Sequence, residues 1–282
     1  MALPDFIIVG AMKCGTSTLA AQLAAQPGLF MTTPKEPNYF SDDDVFAKGP
    51  EWYRSLFDAA APGDIKGEAS THYTKLPRHP DALPRMRKML DAPKIIYLIR
   101  NPLDRAISHY IHEWTMGVMS KDIQKAFATH EELAAYGCYA DQIAPYVDAY
   151  GTENVLVLSL EAMKSAPQQV LERSCEFIGY QGSPAWVEEQ AQVNVSSERI
   201  RKFPLHGLVF DNPVAAALRR TLVPQSLRDR LKKKFQMQKR PELPPAVRDD
   251  LSQVFAHDFE RLCTLFPGRE DLRASYPFID HD

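Results

Sequence analysis

The stretch FIIVGAMKCGTST, residues 6–18, joins a run of apolar β-formers to a glycine-bracketed turn and then to a hydroxyl-rich helix start. A strand ending in such a turn points backbone N–H groups at one spot, where the helix dipole also favours negative charge. Gly10 and Gly15 permit the tight path, and Thr16, Ser17 and Thr18 add hydroxyl donors. The chemistry this suits is phosphate binding. A capped helix start would account for Thr16 or Ser17 alone, but it gives no reason for two glycines with Lys13 between them. In loops of the pattern GxxxxGK[ST] the lysine follows the second glycine and reaches the terminal phosphates. Here Thr16 follows Gly15 and the lysine stands back at position 13, inside the loop.

A second group lies in KIIYLIRNPLDRAISHY, residues 94–110. It puts Arg100 at the carboxyl end of a strand, the usual binding edge of an open α/β sheet, and Ser108 in the helix that follows. Arginine grips phosphate bidentately and a serine hydroxyl donates to the same group. Taken alone, the pair would equally suit a surface ion pair and a helix hydroxyl. Beside the first loop, two anion sites on one edge fit a nucleotide phosphorylated at two separate positions. KIIYLI ends in Arg100 and VLVL runs into Ser159 and Leu160, so no metal-binding aspartate closes a second strand. The expected nucleotide has one phosphate on its 5′ side and needs no metal.

These groups require a sheet with a common edge. Residues 6–9, 94–99 and 155–158 are continuous apolar runs, as strands buried on both faces of a parallel sheet are. Residues 65–68 form a weaker strand candidate, and helical patterns occupy 16–26 and 103–114. The alternation predicts an α/β fold, a P-loop-like open parallel β-sheet flanked by helices. Residues 32–53, with prolines at 34, 37 and 50 and aspartates at 42–44, read as an irregular, exposed and functional loop. The C-terminal region reads as helical. Leu218, Leu222, Leu227, Leu231 and Phe235 recur at helical spacing, as do Leu251, Phe255, Phe259 and Leu262. The first of these helices carries Arg228, Arg230, Lys232, Lys233, Lys234, Lys239 and Arg240, either a solvated face or a patch for an anionic acceptor or membrane surface. One domain over 1–282 is expected, with a nucleotide-binding and catalytic core at 1–205 and a helical extension at 206–282 packed on it.

A formal charge of −3, from 33 basic and 36 acidic residues, argues against a nucleic-acid partner. The four cysteines, Cys14, Cys138, Cys175 and Cys263, are too scattered for a zinc site or a redox dithiol. MALPDFIIVG has no basic leader region, and no apolar stretch approaches the ~20 residues of a membrane helix. A soluble cytoplasmic protein is expected, and nothing in the sequence defines an oligomer.

In these motifs the chain resembles the sulfotransferases that use 3′-phosphoadenosine 5′-phosphosulfate (PAPS), and more the heparan-sulfate-type branch than the small-phenol branch. The resemblance runs in order through IIVGAMKCGTSTL, PKEPNYF, GEASTHY, LIRNPLDRAISHY, GCYADQIAPYV and NVLVLSLEAM, over most of the first 180 residues. It implies that Lys13 contacts the 5′-phosphosulfate, that Gly15, Thr16, Ser17 and Thr18 cradle the 5′-phosphate, and that Arg100 and Ser108 hold the 3′-phosphate. Lys13 would then sit where negative charge builds on the leaving phosphate, which is electrostatic catalysis. Glu36 matches the family's general base. Glu68 and His72 are weaker acceptor-side candidates, His72 also as an alternative base, and Tyr139 and Gln142 match a segment lining the cleft. Arg199, Arg201 and Lys202, in VNVSSERIRKFP, resemble a lid over the nucleotide. Ala69 and Asn38 stand where heparan-type relatives often carry lysine and histidine, so the acceptor stays open between a sugar, a lipid and a small molecule. The product would be adenosine 3′,5′-bisphosphate. Two other readings are a nucleotide kinase, which would need magnesium and the missing lysine, and a nucleotide-binding module without catalysis.

Overall fold

The computed structural model describes residues 3–191, 237 and 239–279 of the chain. Its strands are β1 (Phe6–Gly10), β2 (Leu29–Met31), β3 (Ile65–Ala69), β4 (Lys94–Ile99) and β5 (Val155–Ser159). The helices up to the middle of the chain are α1 (Thr16–Ala24), α2 (Asp43–Phe46), α3 (Gly49–Ser55), α4 (Ala82–Arg87) and α5 (Pro102–Thr115). They continue as α6 (Ile123–Thr129), α7 (Glu132–Ala135), α8 (Tyr139–Tyr150), α9 (Leu160–Ser165), α10 (Pro167–Phe177), α11 (Glu188–Ala191) and α12 (Pro245–Leu265).

The strands form one parallel sheet in the order β2-β3-β1-β4-β5. All five therefore end at the same edge, where the loops after β1, β2, β3 and β4 meet. Every residue of β1 and β5 is buried, as the unbroken apolar runs required. β2 was not visible in the sequence, because three residues at a sheet edge carry no periodic signal.

Helix α5 starts cleanly because Asn101 caps it, accepting from the Leu103 and Asp104 N–H groups at 3.0 and 3.3 Å, with Pro102 in the first turn. Its Leu103, Ala106, Tyr110 and Trp114 face inward at helical spacing. Helix α12 buries Leu251, Phe255, Phe259 and Leu262, the stripe read from the sequence, and packs on α8. Asp258 of α12 accepts from the Ala140 and Asp141 N–H groups of α8 at 3.0 and 3.3 Å, tying the C-terminal region to the core.

Residues 32–53 are not the exposed irregular loop expected. They contain α2 and most of α3, and Tyr39, Phe40 and Tyr53 are buried. Tyr39 stacks on Tyr53 with ring centroids 4.6 Å apart, and Phe40 meets Tyr53 edge-on at 4.9 Å. Asp43 and Asp44 open α2 and Pro50 lies in the first turn of α3, so residues read as loop formers start helices instead, and aromatic burial holds the segment against the core. The helix expected around residues 218–235 lies outside the described residues, as do Arg199, Arg201 and Lys202. No helix among the described residues is long and apolar enough to cross a membrane.

Candidate active site

The loop after β1 is built around Gly15, which takes the left-handed conformation at φ 88° as the N-cap of α1. A Cβ there would lie 2.6 Å from Met163 Cε and 2.9 Å from Leu160 Cδ1, side-chain ends that would have to shift, and the backbone conformation itself calls for glycine. The Thr18 and Leu19 N–H groups turn back on the Gly15 carbonyl at 3.0 and 3.2 Å. The earlier N–H groups of a helix have no partner within it, which makes those of Thr16 and Ser17 available to an anion. No side chain caps this helix. Thr16 is buried, while Ser17 and Thr18 are half-buried. Cys14 is buried, and burial pushes its thiol up to about 11, so it fills space and is no nucleophile.

Lys13 has φ 69°, in the region that residues other than glycine seldom occupy. Its carbonyl accepts from the Arg100 guanidinium at 3.2 Å. The loop after β1 and the turn after β4 are thus locked to one another, and both cations read from the sequence belong to one structure. Arg100 also lies 3.8 Å from Asp104, yet its Nε is buried without a hydrogen-bond partner. A buried guanidinium N–H left unpaired is costly and asks for an acceptor. Ser108 stands one turn beyond Asp104 on α5 and is half-buried. Arg240, from the basic cluster, pairs with Asp104.

Glu36 follows β2 and is positioned by β3. Its N–H donates to the Ala69 carbonyl at 2.9 Å, and its φ is 58°. Two residues on, Asn38 has φ 54° and donates its N–H to Ser70 Oγ at 3.1 Å. The Glu36 carboxylate pairs with Lys35 at 2.6 Å and accepts from Thr71 Oγ1 at 3.4 Å. Burial raises the carboxyl, but Lys35, with Lys75 and His72 behind it, outweighs burial and holds it below the usual carboxylate value. At neutral pH it is ionised and able to accept a proton. Lys75 had no signal of its own in the sequence. Burial pulls its ammonium below the ordinary lysine value, against the attraction of Glu36, Glu113 and Asp42.

The acceptor-side candidates fall in different places. Glu68 is fully buried and accepts from Tyr53 and, at 2.7 Å, from Ser70 Oγ. Burial raises its carboxyl despite those donors. His72, half-buried in the turn after β3, meets Asp42 at 3.0 Å. Tyr139 is fully buried beneath the loop after β1, its hydroxyl donating to the Arg100 carbonyl at 2.9 Å and accepting from the Arg100 N–H at 3.3 Å. Cys14 Sγ lies 3.5 Å from the same oxygen. Gln142 is buried too, and brackets Leu76 with bonds to its carbonyl and N–H at 3.0 and 2.8 Å. Both side chains brace the walls of the site from behind.

Residues 3–262 match the model of the sulfotransferase domain. The chain belongs to that family. The sulfotransferase of Alicyclobacillus acidocaldarius has the same fold, with a TM-score of 0.67 at 26% identity over 94% of this chain and 96% of that one. Mouse sulfotransferase SULT7A1, solved in complex with PAP, is 19% identical with a TM-score of 0.52 over 91% of this chain and 85% of that one, a likeness of fold. Among curated relatives, heparan sulfate glucosamine 3-O-sulfotransferase 5 of Mus musculus is 35% identical over 108 residues, 38% of this chain and 30% of the relative. The chain spans less than half the length of the curated relatives it matches. A sulfotransferase close to the heparan-sulfate type, on an open parallel sheet, is what the motifs led one to expect.

Proposed function

We propose that the chain transfers a sulfo group from PAPS to a hydroxyl or amine of a sugar, lipid or small-molecule acceptor and releases adenosine 3′,5′-bisphosphate. The observation that carries this reading is the hydrogen bond from Arg100 to the Lys13 carbonyl, which joins two anion-binding elements on one sheet edge. A nucleotide phosphorylated at both 5′ and 3′ positions suits that pair. The N–H groups and hydroxyls of residues 15–18 would hold the 5′-phosphate, and Arg100, whose buried Nε lacks an acceptor, would hold the 3′-phosphate with Ser108.

The donor substrate supplies a sulfur centre that bonds to the acceptor as its bond to the 5′-phosphate oxygen breaks. Glu36, ionised by its neighbouring cations, takes the acceptor's proton. Lys13, placed in the loop and not beyond it, meets the charge that gathers on the departing phosphate oxygen. Both residues adopt positive φ, a strain of roughly 1–3 kcal/mol each that a fold tolerates where geometry matters. Arg199, Arg201 and Lys202 would close over the nucleotide. A sugar acceptor is favoured by the 3-O-sulfotransferase relative, whose name specifies glucosamine of heparan sulfate. The cytoplasm is the proposed setting, supported by four free cysteines.

Calorimetric titration with adenosine 3′,5′-bisphosphate, AMP, and ATP with magnesium tests the reading. The bisphosphate should bind in preference, and Arg100→Ala should weaken it by at least about tenfold, the loss of a charge-assisted bond. Preference for ATP and magnesium, or no nucleotide binding, would overturn it.

A further inference from the structure

Among the described residues two groups of side chains bring three metal-ligating atoms together. One of them, Cys138, Asp141 and Asp258, is already spoken for: Asp258 holds the start of α8 and Asp141 pairs with Arg261. The other is Asp42, His72 and His79, whose three donor atoms lie within 4.8 Å of one another. His72 Nδ1 is 3.0 Å and His79 Nδ1 3.9 Å from the same Asp42 oxygen, and the two imidazoles stack with centroids 4.7 Å apart. Helix capping does not explain the aspartate. Asp42 is the N-cap of α2 but makes no side-chain capping bond; its carboxylate turns instead toward the imidazoles. Nor does an ordinary His–Asp pair explain why a second ring lies against the first, above one shared oxygen.

We propose that Asp42, His72 and His79 form a divalent-cation site of the zinc class. Two imidazoles and one carboxylate are a common ligand set for that ion, and three protein ligands leave a fourth position open. That position has an entry path, a pocket of about 300 Å³ lined by residues 41–43 and 78–81. Asp42 and His72, 3.0 Å apart, can already share an ion at the ~2.0–2.1 Å of a zinc–imidazole bond, and His79 is the ligand that must move inward. The Ser41 carbonyl, 3.2 Å from His79 Nδ1, accepts that N–H and leaves Nε2 as the ligating nitrogen of the ring. Lys75 and Arg78 stand nearby and oppose a cation electrostatically, so coordinate bonds to the three ligands must outweigh them. It is remote in role from the nucleotide phosphates, where no metal is expected.

Its position gives it a purpose. The Ser41 and Asp42 N–H groups both donate to the Asn38 carbonyl at 3.2 and 3.1 Å, at the end of the strained turn that carries Glu36. His72 sits one residue after Thr71, which donates to the Glu36 carboxylate. A cation linking Asp42 to His72 and His79 clamps the two segments that hold Glu36.

The test is metal binding to the untagged, EDTA-stripped full chain, followed by calorimetry with zinc chloride and by the visible absorption of cobalt(II). One ion per chain should bind, with the cobalt bands of a four-coordinate nitrogen and oxygen site. His72→Ala, His79→Asn and Asp42→Asn should each weaken binding by more than about tenfold. Melting in EDTA shows that each variant is folded. A zinc-soaked crystal of the unaltered chain supplies an independent arm, with anomalous density expected between the three side chains. Absence of saturable binding, binding equal in the three variants, or density elsewhere would overturn the proposal. None of these readouts uses turnover, so the sulfotransfer reading can fail without it and it can fail without that reading.

Discussion

Replacing Tyr139 with phenylalanine separates a cleft-lining residue from a brace beneath the anion site. The ring is fully buried, so Tyr139→Phe keeps its packing and removes only the hydroxyl. That oxygen serves the Arg100 carbonyl at 2.9 Å and the Arg100 N–H at 3.3 Å, and lies 3.5 Å from Cys14 Sγ. Phenylalanine leaves a partly buried donor and acceptor of the Arg100 peptide unpaired, which costs about 1–3 kcal/mol. For a chain of this size that is a fall of several degrees in melting temperature. Because the same peptide carries the guanidinium bonded to Lys13, the affinity for adenosine 3′,5′-bisphosphate should fall by about three- to tenfold, with acceptor KM unchanged. Thermal melting, calorimetry and acceptor titration of the two proteins decide it. Unchanged melting and nucleotide affinity with a raised acceptor KM would refute the reasoning and put Tyr139 on the acceptor's surface.

Glu36→Gln should lower kcat by roughly 10²- to 10⁴-fold and leave bisphosphate affinity unaltered, since the carboxylate contacts Lys35 and Thr71 and not the loop after β1; normal turnover would remove it as the base. Gly15→Ala should cost on the order of 1–3 kcal/mol through its φ of 88° and weaken nucleotide binding by at least about tenfold; calorimetry showing ordinary binding would refute the tight-loop account. Burial lifts the Asp258 carboxyl from 3.8 to about 6, so the folded chain holds a proton there that the unfolded chain has released. Its contribution is therefore full below pH ~4 and is lost as pH rises through about 6, a span worth on the order of 3 kcal/mol. Asp258→Asn should flatten that part of the melting-temperature profile relative to the unaltered chain; an identical slope would contradict it.

The sheet was legible where its strands are apolar throughout. KIIYLI gave β4 at its observed bounds, since a strand buried on both faces leaves no polar position to blur its ends. The start of α5 was equally open to reading, because Asn101 and Pro102 are both local signals. Arg100 could be placed at the binding edge for the same reason: it is the first residue after β4. What stayed hidden depends on contacts distant in sequence. Tyr139 reaches Arg100 across 39 residues and Cys14 across 125, and nothing in GCYADQ shows that its hydroxyl points into the wall and not the cleft. Likewise residues 32–53 advertised their turns, while the partner that buries Tyr39 is Tyr53, supplied by a helix those turns seemed to exclude.

Glu68 is fully buried and bonded to the support of the turn that carries Glu36. Its carboxylate accepts from Ser70 Oγ, and the same Ser70 oxygen accepts the Asn38 N–H, so one hydroxyl is fixed as donor on one side and acceptor on the other. A hydroxyl rotated away would serve Asn38 less well, since the carboxylate fixes the direction of the proton and leaves the lone pair toward the turn. The neighbouring Ala69 carbonyl takes the Glu36 N–H, while the Ser70 N–H is anchored on Ile8 in β1. The end of β3 thus transmits the register of the central strand to the turn that holds two positive-φ residues, Glu36 and Asn38. Burying a carboxylate at such a point is costly, and donors from Tyr53, Ser70 and Tyr73 offset only part of that cost. Glu68, the acceptor-side candidate in GEASTHY, is in this fold also the buried anchor of the turn that carries Glu36.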